Sequence, residues 1–259
     1  MSDKKISQLF DVFNKVVLIT GGAGAIGSAI AQGFAKLGAK LIFTDFNLKE
    51  AQNIAHQMKI SSKQIIVEHL DVKDQNQVQK LVKKSISHFN RIDVLFNNAG
   101  INPRINAEDI KKEVWEEVID VNLSGMFFVA QEVAKQTMIP NLQGKIINTS
   151  SLQGMKGSKG AAAYASSKGG IITLTKVLAN EWGKFNINVN SIAPSNLDTP
   201  MTARVYTEDG SKDEASKKTP LQRLGIPDDL IGTVLYLSSS ASNYVTGQTI
   251  IIDGGKSIS

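Results

Sequence analysis

Seven short apolar runs alternate with stretches of helical spacing, and this alternation constrains the fold more than any other feature of the chain. The runs are "KVVLIT" (15–20), "KLIFTD" (40–45), "QIIVEHLD" (64–71), "IDVLFNNAG" (92–100), "GKIINTSS" (144–151), "NINVNSIAP" (186–194) and "TIIIDGG" (249–255). Most are continuously apolar rather than alternating, the pattern of parallel strands covered on both faces. Between the first two, Ile26, Ile30, Phe34 and Leu37 are spaced for one helix face, and Gly38 marks the helix end. The spacing predicts an α/β fold, a doubly wound parallel sheet of seven strands with helices on both faces. No linker, repeat or low-complexity tract divides the 259 residues, so one domain spanning 1–259 is expected. One long segment, 195–220, lacks periodicity, is dense in charge and follows the sixth strand. Its length predicts a lid over a substrate site.

Several functional classes are disfavoured by composition. The chain has no cysteine, and its three histidines, His56, His69 and His88, are isolated from one another, so no metal site is expected. The amino terminus carries no apolar run of signal-peptide length, and no stretch approaches the ~20 apolar residues of a membrane span. A cytoplasmic protein without membrane contact is the expectation. The net charge of +5 is spread along the chain instead of being grouped with aromatics, so nucleic acid is not an expected partner.

The first run leads into "TGGAGAIG" (20–27), where Gly22, Gly24 and Gly27 satisfy GxGxxG. A turn of this kind between strand and helix can hold a pyrophosphate on backbone N–H groups, although glycines there also serve tight packing alone. Asp45 ends the second run, 18 residues beyond Gly27. A carboxylate at that place can accept hydrogen bonds from an adenosine ribose diol and repels a 2′-phosphate; its other reading is a cap on the next helix. With no Arg or Lys directly beside Asp45, the sequence predicts NAD(H) as cofactor over NADP(H).

In "AAAYASSKGG" (161–170), Tyr164 and Lys168 lie four apart among small residues, so on a helix both face one side. An ammonium ~4 Å from a phenol is worth about 4 kcal/mol at an effective dielectric of 20, roughly three pKa units. The spacing predicts a phenol tuned towards neutrality that gives a proton to a carbonyl oxygen or takes one from an alcohol. A bare Tyr-x-x-x-Lys pair is otherwise a surface contact. Ser151, at the end of the fifth run, can position the reacting oxygen, or simply cap a turn.

Together with "NNAG" (97–100), "VNLSG" (121–125), "NTSS" (148–151), "YASSK" (164–168), "SIAPSNLDTPM" (191–201) and the closing "DGG", these motifs resemble the short-chain dehydrogenase/reductase family over nearly the whole chain. The resemblance implies a Rossmann-type sheet of strand order 3-2-1-4-5-6-7 and hydride transfer between a nicotinamide dinucleotide and a secondary alcohol or ketone. By the same resemblance Ser151, rather than Ser150, is catalytic, Tyr164 is the acid/base, Lys168 binds the nicotinamide ribose and lowers the phenol pKa, and Asn122 holds a water linking Lys168 to solvent. Without the family, Asn122 reads as a helix-interior residue bonded locally. The dinucleotide would lie along Gly21, Gly24, Ala25, Ile26 and Gly27, with Asn98, Ala99 and Gly100 lining its adenosine side. Asp71 and Val72 match the pair at the adenine, though Asp71 can equally cap the helix starting near Asp74. Leu197 and Thr199 match positions around the nicotinamide.

Two departures stand out: Ala25 where the family has glycine, and Ser195 after Pro194 where it has glycine. A positive φ at Ser195 would cost about 1–2 kcal/mol, with a looser nicotinamide end as the expected consequence. Among members of the family, the carboxyl-terminal third is most similar to gluconate 5-dehydrogenases and 2-dehydro-3-deoxy-D-gluconate 5-dehydrogenases. A sugar acid or polyol is the expected small-molecule substrate, with Arg104, Lys156 and Lys159 available to pair with a carboxylate. The competing readings are a 3-oxoacyl-[acyl-carrier-protein] reductase and a dinucleotide-binding redox sensor with little turnover. The resemblance also implies a homotetramer, for which Met126, Phe127, Phe128 and Val129 would suit an interface or a core.

Overall fold

Each continuously apolar strand serves two cores at once, because successive side chains of a strand point to opposite faces. In the computed structural model, which describes residues 6–203 and 211–259, strand β1 (Val16–Ile19) sends Val16 and Leu18 to one core and Val17 and Ile19 to the other. The same division holds for Ile42 against Leu41 and Phe43 in β2 (Lys40–Asp45), and for Ile146 against Ile147 in β5 (Gly144–Thr149). The remaining strands are β3 (Ile65–His69), β4 (Val94–Asn97), β6 (Ile187–Pro194) and β7 (Thr249–Ile252). They form a parallel sheet of seven strands in the order 3-2-1-4-5-6-7, as the resemblance implied.

Helices close both faces. After the short α1 (Ile6–Leu9), α2 (Ala25–Lys36) and α3 (Leu48–Gln57) cover one face together with a later helix at Ile231–Ser238. The other face is covered by α4 (Gln75–Phe89), by a long helix built from α5 (Lys112–Ile119) and α6 (Met126–Val133), and by α7 (Ala162–Trp182). Phe34 of α2 is fully enclosed, and burying a side chain of that size is worth about 1.5–3 kcal/mol. Ile30 joins it in the core, but Leu37 falls just past the helix and is half exposed, because the chain already turns towards the left-handed Gly38. Met126 and Val129 are core residues, while Phe127 and Phe128 are partly buried and stack on one another at 5.2 Å.

Two features shape the end of the sheet where the strands finish. Between α5 and α6 the helix widens into one π-helical segment, Asp120–Gly125, which carries Asn122. The segment predicted as an aperiodic lid contains two short helices in its described part, α8 (Pro200–Ala203) and α9 (Ser211–Lys217); residues 204–210 of that expectation lie outside the described residues. With α10 (Ile231–Ser238) the helices are complete among the described residues, and none is long and apolar enough to cross a membrane.

Candidate active site

The carboxyl ends of β1, β4 and β5 lie side by side, which brings the glycine turn, "NNAG" and Ser151 to one edge of the sheet, as open α/β folds bring ligands. The turn is packed from beneath. Thr20 Oγ1 accepts hydrogen bonds from the N–H groups of Asn98 (3.0 Å) and Ala99 (3.1 Å), and Asn98 Nδ2 donates to the Gly21 carbonyl at 3.0 Å. Gly21 has φ +63°, and a Cβ on it would stand 2.8 Å from the Ala99 Cα. A Cβ on Gly22 would enter the Phe43 ring at 2.5 Å, and one on Gly27 would meet the Gly21 carbonyl oxygen at 2.3 Å. Gly24 differs, since its nearest neighbour would be the Gly21 oxygen at 3.4 Å and its outer side is open.

Helix α2 starts at Ala25 and Ile26 without a side-chain cap, whereas α3 and α4 are capped by Asn47 and Asp74. Its first-turn N–H groups beside Gly24 are therefore available to an anion, and the cradle fits a dinucleotide pyrophosphate. Asp45 is not the cap of α3, because Asn47 takes that role. Its Oδ2 accepts from Ala23 N at 2.9 Å and its Oδ1 from Asn47 N at 2.8 Å, so the carboxylate anchors the glycine turn. Asp71 likewise leaves the capping of α4 to Asp74 and accepts from Lys73 N at 3.0 Å. Val72 is buried, with its side chain against Gly125 of the π-helical segment. Leu197 is buried against Gly225, and Thr199 exchanges hydrogen bonds with Thr202 at the start of α8.

Around Tyr164 the geometry is close. Lys168 Nζ lies 5.5 Å from the Tyr164 ring centroid and donates to the Thr149 carbonyl at 2.6 Å. Ser150 donates instead to the Lys168 carbonyl at 2.8 Å, a helix-anchoring role, while Ser151 Oγ accepts from Gln153 N at 3.1 Å and faces the phenol. Asn122 is bonded across the fold rather than locally. Its Oδ1 accepts from Ile101 N at 2.8 Å, and its Nδ2 donates to Ile101 O at 3.0 Å and Ser167 Oγ at 3.1 Å. Gly100 passes between Asn122 and Lys168, where a Cβ would be 3.2 Å from the Asn122 Oδ1.

The electrostatics correct one expectation. Burial pushes the Tyr164 phenol up from its ordinary value, and only the Ser151 hydroxyl and the Arg104 charge oppose it. Lys168 is not among the groups that oppose it, and burial brings the Lys168 amine itself down to about 8. A second expectation, strain at Ser195, also fails. Its φ is not positive, and its N–H continues the sheet by donating to Ile252 O at 3.2 Å, so serine fits there without cost.

A cavity of about 1000 Å³ opens beside Ser151 and Tyr164. Arg104, which donates to Ser158 Oγ at 3.4 Å, and Lys156 line it; Lys159 does not, and borders a separate shallow depression with Asn106 and Asp109. The sequence reading missed other members of this wall, among them Asn102, Gln153, Lys217, Lys218 and Lys256. The charge density of 195–220 was the available signal for Lys217 and Lys218. For Lys256, one residue past "DGG", there was none.

Two buried amines make stability depend on pH. Lys168 and Lys145, the latter bonded to Asn188 Oδ1 and Asn243 Oδ1 at the far end of β5, both fall from 10.5 to about 8, chiefly through burial. Below pH ~8 each is charged in folded and unfolded chains, and the folded chain bears the cost of burying that charge. Between ~8 and ~10.5 the unfolded chain binds protons that the folded one has released, so stability rises with pH. Thermal unfolding of the ligand-free chain should show about 3 kcal/mol more stability at pH 9.5 than at pH 7.5, about 2 from Lys168 and less from the partly exposed Lys145, whose share alone remains in Lys168→Met. Equal stability at the two pH values would contradict the burial of both charges.

Comparisons with known proteins agree with this geometry. The family described as enoyl-(acyl carrier protein) reductase matches residues 21–257. A 2-dehydro-3-deoxy-D-gluconate 5-dehydrogenase of Dickeya dadantii (strain 3937) is 35% identical over 250 residues, covering 96% of this chain and 98% of that protein. A 3-oxoacyl-[acyl-carrier-protein] reductase of Thermotoga maritima is 39% identical over 241 residues, covering 93% and 97%. Among solved structures, a gluconate 5-dehydrogenase of Burkholderia cenocepacia J2315 in complex with NADP and tartrate superposes with a TM-score of 0.91 at 33% identity, covering 97% of this chain and 98% of that one.

Proposed function

The chain belongs to the short-chain dehydrogenase/reductase family and is an NAD(P)-dependent oxidoreductase of that family, and from that premise we propose that it interconverts a secondary alcohol and a ketone on a sugar acid or polyol, with NAD(H) preferred to NADP(H). The observation that carries the substrate class is the wall of the cavity beside Tyr164. Asn102 and Gln153 each hold a buried side-chain oxygen without a hydrogen-bond partner among the described residues, and Arg104, Ser158, Thr202 and Gln222 add polar groups. A wall with this many polar side chains suits a ligand rich in hydroxyl donors, which can exchange hydrogen bonds with it. An acyl chain offers no such donors.

In this reading the bound dinucleotide supplies the hydride acceptor or donor. Ser151 holds the reacting oxygen against the phenol. In oxidation Tyr164 takes the hydroxyl proton as the C–H hydride departs; in reduction it returns that proton to the alkoxide oxygen. Lys168 orients the nicotinamide ribose and exchanges protons near pH 8. Asn122 is a positioning residue that ties the loop at Ile101 to Ser167 of α7. Gly21, Gly24, Ala25, Ile26 and Gly27 cradle the pyrophosphate, Asp45 receives the ribose diol, and Asp71 with Val72 and Asn98 to Gly100 surround the adenosine. Leu197 and Thr199 flank the nicotinamide, and 195–220 acts as the substrate lid. The unit is one domain, working in the cytoplasm as a homotetramer.

A second reading, reduction of a 3-oxoacyl thioester, is favoured by the 39% identity to the Thermotoga maritima reductase. The deciding experiment is turnover of polyols, sugar acids and a 3-oxoacyl thioester with both dinucleotides, against a Tyr164→Phe control. Faster reduction of the thioester than of any keto sugar acid would overturn the first reading. The same assay tests the cofactor. Asp45→Ala removes the repulsion of a 2′-phosphate and also the acceptor for Ala23 N–H, so both dinucleotides should bind less tightly while the NADH/NADPH preference falls about tenfold. An unchanged preference would show that Asp45 anchors the turn and nothing more.

A further inference from the structure

The cavity beside Tyr164 carries more positive charge than one carboxylate can balance. Arg104, Lys156, Lys217, Lys218 and Lys256 all line it, and no Asp or Glu among the described residues does. None of the five makes an ion pair among the described residues, whereas six other cations of the chain do. They come from four separate places: the loop after β4, the loop before α7, the end of α9 and the turn after β7. Convergence from unrelated segments differs from a run of charge along one solvated helix.

Resting on the reading above, we propose that the substrate carries at least two negative charges, its second anionic group lying against Lys156, Lys218 and Lys256, with the reacting carbon at Tyr164 and Ser151. These three lysines lie within electrostatic range of one another. Lys218 and Lys156 add their repulsion to burial in lowering the Lys256 amine. The carboxylate within their reach, Asp253, is already held by the N–H groups of Gly255 (2.9 Å) and Ser257 (2.6 Å) and faces a neighbouring smaller pocket. Three ammonium groups against the one carboxylate within their reach among the described residues leave an excess of positive charge that a further anionic group balances, and its arrival relieves their mutual repulsion. A monocarboxylate such as an aldonate leaves most of that charge unmatched. The shared chemistry is therefore a dianionic polyhydroxy or keto acid, its second group either a carboxylate or a phosphate monoester.

The test compares sorbitol, gluconate, glucarate and 6-phosphogluconate as substrates of the full chain, with both dinucleotides. The expected result is a kcat/KM for glucarate or 6-phosphogluconate at least about tenfold above that for gluconate, the better of the two identifying the second group. Lys218→Gln and Lys256→Gln should each cut this ratio about threefold to tenfold through KM, while Lys63→Gln, a remote surface change, leaves the ratio as it is. A second measurement does not need turnover: calorimetric binding of inorganic pyrophosphate to the NADH-saturated protein should weaken in Lys218→Gln. A dianion preference absent from the wild type, or unmoved by both lysine variants, overturns the inference while gluconate turnover keeps the proposed function intact. No turnover of any sugar acid, with pyrophosphate still bound through Lys218, overturns the proposed function and leaves the dianion site. The most rapid turnover on a 3-oxoacyl thioester overturns both.

Discussion

Replacing Tyr164 by Phe should lower kcat about 10³-fold in both directions while leaving dinucleotide affinity and unfolding temperature near those of the parent chain. The substitution deletes one oxygen and keeps the ring that packs between Ser151 and Lys168, so its effect isolates proton transfer, which is typically worth 10²–10⁴-fold. Burial shapes the accompanying pH profile. With the phenol held above its ordinary value, Tyr164 keeps its proton at neutral pH and is poised as an acid for ketone reduction. Alcohol oxidation needs the deprotonated phenol, so its rate should climb steadily as the solution is made alkaline, and reduction should not. Stopped-flow measurement of hydride transfer across that pH range provides the check. Residual turnover within tenfold of the parent would remove Tyr164 from its proposed role, and an oxidation rate independent of pH would contradict the raised phenol.

What the sequence made legible follows the range of the interactions involved. Strand β2 begins and ends where its run does, and the other strands lie within theirs, most of the residues left outside being the polar residues and glycines that flank the apolar stretch. Tyr164 and Lys168 meet because helix spacing guarantees it. Other properties depend on distant packing and left no local trace. Thr20 supports the turn at Asn98 and Ala99, residues 78 and 79 positions away, and Asp45 holds a turn 22 positions before it. The direction of the Tyr164 shift was inverted for the same reason: a spacing reports that an ammonium is near, but the shift is governed by desolvation, which comes from the whole enclosure. The basic wall of the cavity is another long-range product, assembled from four segments; Arg104, Lys156 and the charge of 195–220 were legible in sequence, but Lys256 and the meeting of all four were not.

The glycines of "TGGAGAIG" show how far the structure separates residues that a motif treats alike. Gly27→Ala should be severe. Its methyl would stand 2.3 Å from the Gly21 carbonyl oxygen and 2.8 Å from the Gly22 Cα, and both obstacles are backbone, so no side chain can swing aside. The turn itself must open, at a cost of about 1–3 kcal/mol, and the unfolding temperature should fall by several degrees. Opening also misaligns the N–H groups at the start of α2, so dinucleotide affinity should drop about 100-fold, roughly 2.7 kcal/mol. Gly24→Ala meets only one atom, at 3.4 Å, and its φ of −70° suits any residue. Stability should therefore stay within about 0.5 kcal/mol of the parent. Its methyl instead points to the open side of the cradle, so whatever affinity it costs reports directly on a dinucleotide lying there. Fluorescence titration with NADH and thermal unfolding of the two variants separate the effects. A Gly24→Ala chain as unstable as Gly27→Ala would refute the packing argument, and one with undiminished affinity would place the pyrophosphate elsewhere.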